Sequence, residues 1–298
     1  MGKTARLRLR ASCLFAALLA ASLFVAAAAQ AKTIDVQRGQ SVAKALKTAQ
    51  NGDVIRIHPG TYRGKLVVDK GVTLTGVGKQ RPVIDARCKA NDTILVTHAG
   101  ATIERLQVQG AATNFGQYPA EVQFLSVTSG SATHLRTVDT CDAQYGISAF
   151  STGPVKVTHN FGKGFDDSAI YIGTILDTLG GTLLVADNRT VHNSRGIIIE
   201  DSPKKTDIVV RKNVMNRNTL PGDEGPSDGL YLHNSQGIDV IDNTADRNGN
   251  AGFHADLNSG KNRFVDNVAR HNGSKPFVDD DEGAGNCGSG NSFHLPGC

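Results

Sequence analysis

The chain has 298 residues with 39% hydrophobic side chains and no Trp, enough apolar material for one long folded domain and too much for a disordered tail. Its 32 Lys and Arg face 28 Asp and Glu, but Lys3, Arg6, Arg8 and Arg10 stand in the first 31 residues, leaving 32 − 4 = 28 positive against 28 negative side chains afterwards. That balance offers no basic field to suggest nucleic acid and no Lys/Arg run to suggest a membrane surface.

Residues 1–31 read as a signal peptide: a basic head, an apolar run from Leu14 to Ala29, and Ala29-Gln30-Ala31 as a small-x-small cleavage site. Cys13 precedes the apolar run instead of following it, which argues against a lipoprotein anchor. No other stretch approaches the roughly 20 apolar residues of a membrane span. The protein is therefore expected to be secreted. Beyond the leader, Cys88, Cys141, Cys287 and Cys298 form an even set, which in an exported protein suggests two disulfides. Cys287 with Cys298 is favoured as a staple on the C-terminal tail, and Cys88 with Cys141 by elimination.

Thr33-Ile34-Asp35-Val36 reads as a strand. Ser41 then stands where it can cap a short helix whose apolar positions Val42, Leu46 and Ala49 share one face, with Asn51-Gly52 ending it. Strands follow at 54–57, 66–68 and 72–74, with Pro59-Gly60 as a turn. In the middle of the chain Ile103 to Val108 alternates, Leu125-Ser126-Val127 follows, and Gly146-Ile147 and Ala169-Ile170-Tyr171-Ile172 open two more strand-like runs.

From Thr182 onward a pattern returns four times. Asn188 pairs with Asn193, Asn213 with Asn218, Asn243 with Asn248 and Asn267 with Asn272. Three of the pairs are followed by a strand opening on Gly: Gly196-Ile197-Ile198-Ile199, Gly229-Leu230-Tyr231-Leu232 and Gly252-Phe253-His254-Ala255. The first Asn recurs at intervals of 25, 30 and 24 residues, a period that means stacked coils. Because the apolar runs are four residues long, the coils are β. The expected fold is all-β: a single-stranded parallel β-helix over 32–278, with a short N-terminal capping helix to cover its exposed sheet edge. Residues 279–298 are expected to be an irregular tail held by the disulfide. The Asn residues read as turn formers that tolerate the left-handed region and hydrogen-bond up their columns.

Gly39-Gln40-Ser41-Val42, Gly52-Asp53-Val54-Ile55-Arg56-Ile57, Pro59-Gly60-Thr61-Tyr62 and Gly71-Val72-Thr73-Leu74-Thr75-Gly76, together with the later Asn-and-Gly repeats, resemble the right-handed parallel β-helix proteins of the pectin-lyase-like superfamily. The resemblance covers nearly all of the chain after the leader and is loosest between 111 and 180. It implies a right-handed coil and a superfamily of pectate and alginate lyases, polygalacturonases, uronan epimerases and non-catalytic surface proteins, among which fold alone does not choose.

Candidate chemistry comes from strict alternation on the Gly-led strands. Ile197, Ile199, Leu230, Leu232, Phe253 and Ala255 point inward. If the coils stack in register, Glu200, His233 and Asp256 form one outward column, and Tyr171, Ile198, Tyr231 and His254 the column beside it. His233 then lies between two carboxylates, next to Tyr231 and His254, an arrangement suited to proton transfer. The segment Thr219 to Asp228 is an insertion in front of the Tyr231 strand and should wall this face. Its Asp223, Glu224 and Asp228 are weak candidates to hold Ca²⁺ through oxygen ligands.

These residues point to binding of an acidic polysaccharide or other glycan, with lyase or C5-epimerase chemistry. His254 or His233 would be the base and Tyr231 the acid, with Glu200 and Asp256 orienting the histidines. Lys204, Lys205, Arg195 or the Ca²⁺ would neutralise the substrate carboxylate. A non-catalytic glycan-binding module is the reading from a different class. Inverting hydrolysis is a third, since Glu200 and Asp256 would stand two coils apart, and Asp166-Asp167 faintly resembles the Asp-Asp element of polygalacturonases. No part of the pattern asks for a second copy, so a monomer is expected.

Overall fold

The structure is a computed structural model and describes residues 30–113, 118–175, 180–202, 207–222, 225–280 and 285–298. The segment expected to be a signal peptide lies outside these apart from residues 30 and 31, as do Asp223, Glu224, Lys204 and Lys205. From Ala31 onward the chain forms one unit. Its strands make three parallel sheets, one of eleven strands and two of nine. Each coil contributes one strand to each sheet in turn, so neighbours within a sheet are one coil apart in sequence. The first sheet runs from Thr33–Val36 to Cys287–Ser289, the second from Thr61–Arg63 to Val268–Arg270, and the third from Leu66–Val68 to Phe277–Asp279.

One helix, Val42–Thr48, is present among the described residues. Ser41 caps it, its Oγ accepting from Lys44 N at 3.2 Å, and Val42, Ala45 and Leu46 join the core. Lys70 Nζ donates to the Leu46 and Lys47 carbonyls at 2.8 and 2.9 Å, satisfying acceptors that a helix end leaves open.

Inside the coils a continuous apolar core runs the length of the solenoid, built by alternate residues of all three sheets. Ile197, Ile199, Leu230, Leu232, Phe253 and Ala255 are all fully buried in it. Beside the core stand two Asn columns. Asn160, Asn188, Asn213, Asn243, Asn267 and Asn291 are linked amide to amide at 2.9–3.0 Å. Asn193, Asn218, Asn248 and Asn272 form the second column at 2.9–3.0 Å. An interior Asn fills its whole hydrogen-bonding capacity. Asn213 Nδ2 donates to Val185 O and Asn243 Oδ1, and its Oδ1 accepts from Asn188 N and Nδ2.

The left-handed turn residue is not the Asn, as the sequence had suggested, but the residue before it. Asp187, Lys212, Asp242 and Asp266 have φ of 54–58°, and His192, Arg217, Arg247 and His271 of 52–56°. The kink in the preceding residue is what turns the Asn side chain inward, where its amide can reach the next coil. The Gly at the head of the three Gly-led third-sheet strands answers a close approach of coils: a Cβ on Gly229 would fall 2.8 Å from Ala245 Cβ.

Disulfides join Cys88 to Cys141 and Cys287 to Cys298. The C-terminal stretch expected to be irregular is partly regular: Cys287–Ser289 pairs in parallel with Arg263–Val265 and extends the first sheet by a strand. Phe293, beyond it, stacks on Phe277 at 5.3 Å and packs on the core.

Candidate functional site

The third sheet brings the outward columns into register. Tyr171 pairs with Ile198, Ile198 with Tyr231 and Tyr231 with His254, while Glu200 pairs with His233. His233 Nδ1 rests against Asp256 Oδ2, and its Nε2 lies 3.6 Å from Glu200 Oε1. Glu200, His233 and Asp256 thus meet as the alternation requires.

Asp256 does not point to solvent. Its strand ends at Ala255, and the turn that follows folds the carboxylate back onto the sheet. There Oδ2 accepts from the Tyr231 hydroxyl at 2.9 Å, and Oδ1 from Asn234 N at 3.2 Å and Ser259 Oγ at 3.0 Å. One buried carboxylate therefore holds both Tyr231 and His233. Burial first, and then the hydrogen bond to Asp256, push the Tyr231 pKa well above its ordinary value. Glu200 has a similar partner in Tyr171, whose hydroxyl donates to Oε2 at 2.6 Å and whose pKa burial and Glu200 likewise raise.

His254 is buried, and two aspartates clamp it. Nδ1 is 2.9 Å from Asp228 Oδ2 and Nε2 3.1 Å from Asp280 Oδ2. Burial works against its charged form, yet the hydrogen bonds and charges of Asp228 and Asp280 outweigh it, so the pKa is raised. A carboxylate oxygen also faces each ring nitrogen, so neither nitrogen of His254 is left open to a substrate. This separates the two histidines that sequence could not rank. Asp280 was missed because the coils were expected to end at residue 278; with Ala255 paired to Asp279, it falls one coil beyond Asp256 in the same column.

Asp228 does not fit a Ca²⁺ site. Its Oδ1 accepts from Asn250 Nδ2 and Ala251 N, both at 2.8 Å, and Oδ2 faces His254 Nδ1 at 2.9 Å. Ligand oxygens for a hard cation need lone pairs that these donors already occupy. Asp223 and Glu224 lie outside the described residues.

Arg195, named as a possible neutralising group, is buried and paired through Nη1 with Asp167 Oδ1 at 3.1 Å. Its guanidinium lies 4.9 Å from the centre of the Tyr231 ring. Asp167 thus serves as the counter-ion of Arg195. The described part of the insertion comes close to this pair, since a Cβ on Gly225 would stand 2.8 Å from Arg195 Nη2.

A cavity of about 130 Å³ opens over this group, lined by Asp167, Tyr171, Arg195, Ile198, Glu200, Tyr231 and His233. It shares Tyr171 and Glu200 with a neighbouring cavity of about 430 Å³, whose walls include Tyr118, Tyr145, Phe150 and Asp201. Tyr118 and Phe150 are exposed. Flat rings beside carboxylates and hydroxyls suit a sugar, which presents an apolar face and a hydroxylated rim.

A family model described as the right handed beta helix region matches residues 92–269. Among solved structures the chain is similar to XylC in complex with xylose, with a TM-score of 0.60 at 11% identity over 87% of this chain and 67% of that one. It is also similar to a pectate lyase, with a TM-score of 0.47 at 14% identity over 88% and 78% of the two chains. A double mutant of the periplasmic alginate epimerase AlgG gives 0.45 at 14% identity over 82% and 71%. No curated protein matches the chain.

Proposed function

The chain belongs to the right-handed β-helix family, and from that premise we propose that it is an exported protein, capped at its N-terminus by the helix Val42–Thr48, that binds an acidic polysaccharide along the third sheet and processes it as a lyase or C5-epimerase. Both reactions begin when a base removes the proton from the carbon bearing the uronate carboxylate. The observation that carries this reading is the single carboxylate of Asp256 holding His233 and Tyr231 side by side over a cavity.

With the Nδ1 proton directed at Asp256, His233 presents the Nε2 lone pair to the cavity as the base. Glu200, 3.6 Å from Nε2, stabilises the imidazolium that forms. Tyr231 keeps its proton over the working range because its pKa is raised. It can still give that proton to an expelled sugar alkoxide, which is more basic than a phenolate. His254, held by Asp228 and Asp280, lies 5.0 Å from the Tyr231 ring and serves as a positioning residue. The test is a panel of uronans, with unsaturated or epimerised product read by ultraviolet absorbance and NMR. Turnover should vanish in His233→Ala and in Tyr231→Phe while both variants stay folded; product from either at the wild-type rate would refute the assignment.

A second reading has its own observation. Among the described residues, Asp167, Glu200, Asp228, Asp256 and Asp280 surround the site, against Arg195 and His254. That excess of carboxylates suits a glycan without acidic groups, recognised by a non-catalytic module. Binding of a neutral oligosaccharide without turnover, unchanged in His233→Ala, would favour it.

A further inference from the structure

The turn between the first and second sheets is two residues long in every coil from Ala101–Glu104 onward, but six residues, 77–82, separate Thr73–Gly76 from Val83–Ala90. The long turn carries Lys79 and Arg81. It folds along the solenoid, and Arg81 Nη1 donates to the backbone carbonyl of His134, two coils away. The cavity at this place measures about 260 Å³ and has Lys79, Arg81, Arg105 and His134 in its walls.

The cations continue down the same edge. Arg105, His134 and His159 occupy the left-handed turn position of three successive coils, where neighbours stand about 4.8 Å apart. One strand position further on, Arg136, Phe161 and Arg189 form a column, with the two guanidinium groups 4.7 and 5.8 Å from the ring centre. The acidic groups that reach the edge are Glu104, which acts on His134, and Asp187, 3.9 Å from His159. Burial lowers the Arg81 pKa, and so do the like charges of Arg105 and Arg136; burial, His159 and Arg81 lower that of His134. An anion placed among these groups would relieve that repulsion.

We propose that this edge is a second binding site, remote from the third-sheet groove, for a linear anionic polysaccharide lying along the solenoid axis. A chain with one anionic group per sugar can meet one cationic turn per coil, and the guanidinium groups suit carboxylate or sulfate. A nucleic acid is the poorer fit, because single strands are held by stacking on open aromatic rings. Phe161 is flanked by arginines, and the exposed rings Tyr118 and Phe150 belong to the third-sheet cavity. This site does not depend on the catalytic reading of His233.

The experiment is calorimetric titration of the full chain with polygalacturonate, with dextran, a single-stranded oligodeoxynucleotide of matched charge, and phosphatidylglycerol vesicles as comparisons. Polygalacturonate should bind and weaken steeply as salt rises, while dextran should not compete. Arg81→Gln with Arg136→Gln should weaken binding at least tenfold, and Arg105→Gln alone should weaken it less. These positions are exposed at the surface, and circular dichroism verifies that the variants fold. Undiminished binding in the Arg81/Arg136 variant, no binding at low salt, or tighter binding of the oligonucleotide or the vesicles would each overturn the proposal. Turnover of uronans in the same edge variants tests the third sheet separately, so either reading can fail without the other.

Discussion

Asn213→Ala tests the Asn column at its centre. Asn213 is fully buried, and its Oδ1 is the acceptor for Asn188 N at 3.0 Å and Nδ2 at 2.9 Å. Truncation removes that oxygen and leaves two buried donors without it, at roughly 1–3 kcal/mol each, so the expected loss is about 4 kcal/mol. It also removes the donors to Val185 O and Asn243 Oδ1. Asn272, at the end of the other column, supplies the corresponding oxygen to Asn248 but is only half-buried, so water can replace it. Asn272→Ala should cost less than half as much. Urea unfolding followed by circular dichroism measures both, with the midpoint moving and the slope unchanged. A loss below about 1 kcal/mol for Asn213→Ala, or equal losses for the two variants, would refute the claim that the column stabilises through buried, fully used amides.

His254, with its raised folded pKa, contributes stability that is fully present below its unfolded pKa of about 6.5 and lost as pH rises through the folded value. Asp280→Asn should lower that pKa in an NMR titration of the imidazole; no change would mean that Asp280 does not hold the ring. Glu121 is fully buried against the Thr93 hydroxyl at 2.7 Å, and burial pushes its pKa up to about 8. Because the unfolded carboxyl loses its proton near 4.5, stability should fall as pH rises from there to about 8 and then level off. Glu121→Gln should flatten that slope in thermal melts recorded across this range. The Cys88–Cys141 link closes 53 residues and the Cys287–Cys298 link 11. Removing them by paired Cys→Ala changes should therefore cost about 4 and 3 kcal/mol in urea unfolding, and a reversed order would contradict the loop-entropy account.

The Asn pairs and Gly-led strands were legible because a solenoid turns a repeat in sequence into a neighbour in space. Alternation then placed Ile197, Leu230 and Phe253 inside and set Glu200 beside His233, since period two leaves only one buried face. The roles of Asp167, Asp228 and Asp280 were not legible. They stand where strands begin or end or where the insertion rejoins the sheet, and there alternation no longer says which way a side chain points. Asp256 shows the same limit: its place in the column followed from register, but its burial followed from the turn through Ser259.

Sequence by itself determined the coil, its inward residues and the meeting of Tyr231, His233, Glu200 and Asp256, because these depend only on period and register. The tertiary structure decided that His254 is clamped between Asp228 and Asp280, whereas His233 meets Asp256 and has Glu200 3.6 Å from its Nε2. It also decided where the charges go. A total of 28 against 28 conceals a separation, with Arg81, Arg105 and Arg136 on one edge and Asp167, Glu200 and Asp256 on the third sheet. Net charge is a sum over residues, whereas the field at a site depends on which of them the coils bring within a Debye length of one another.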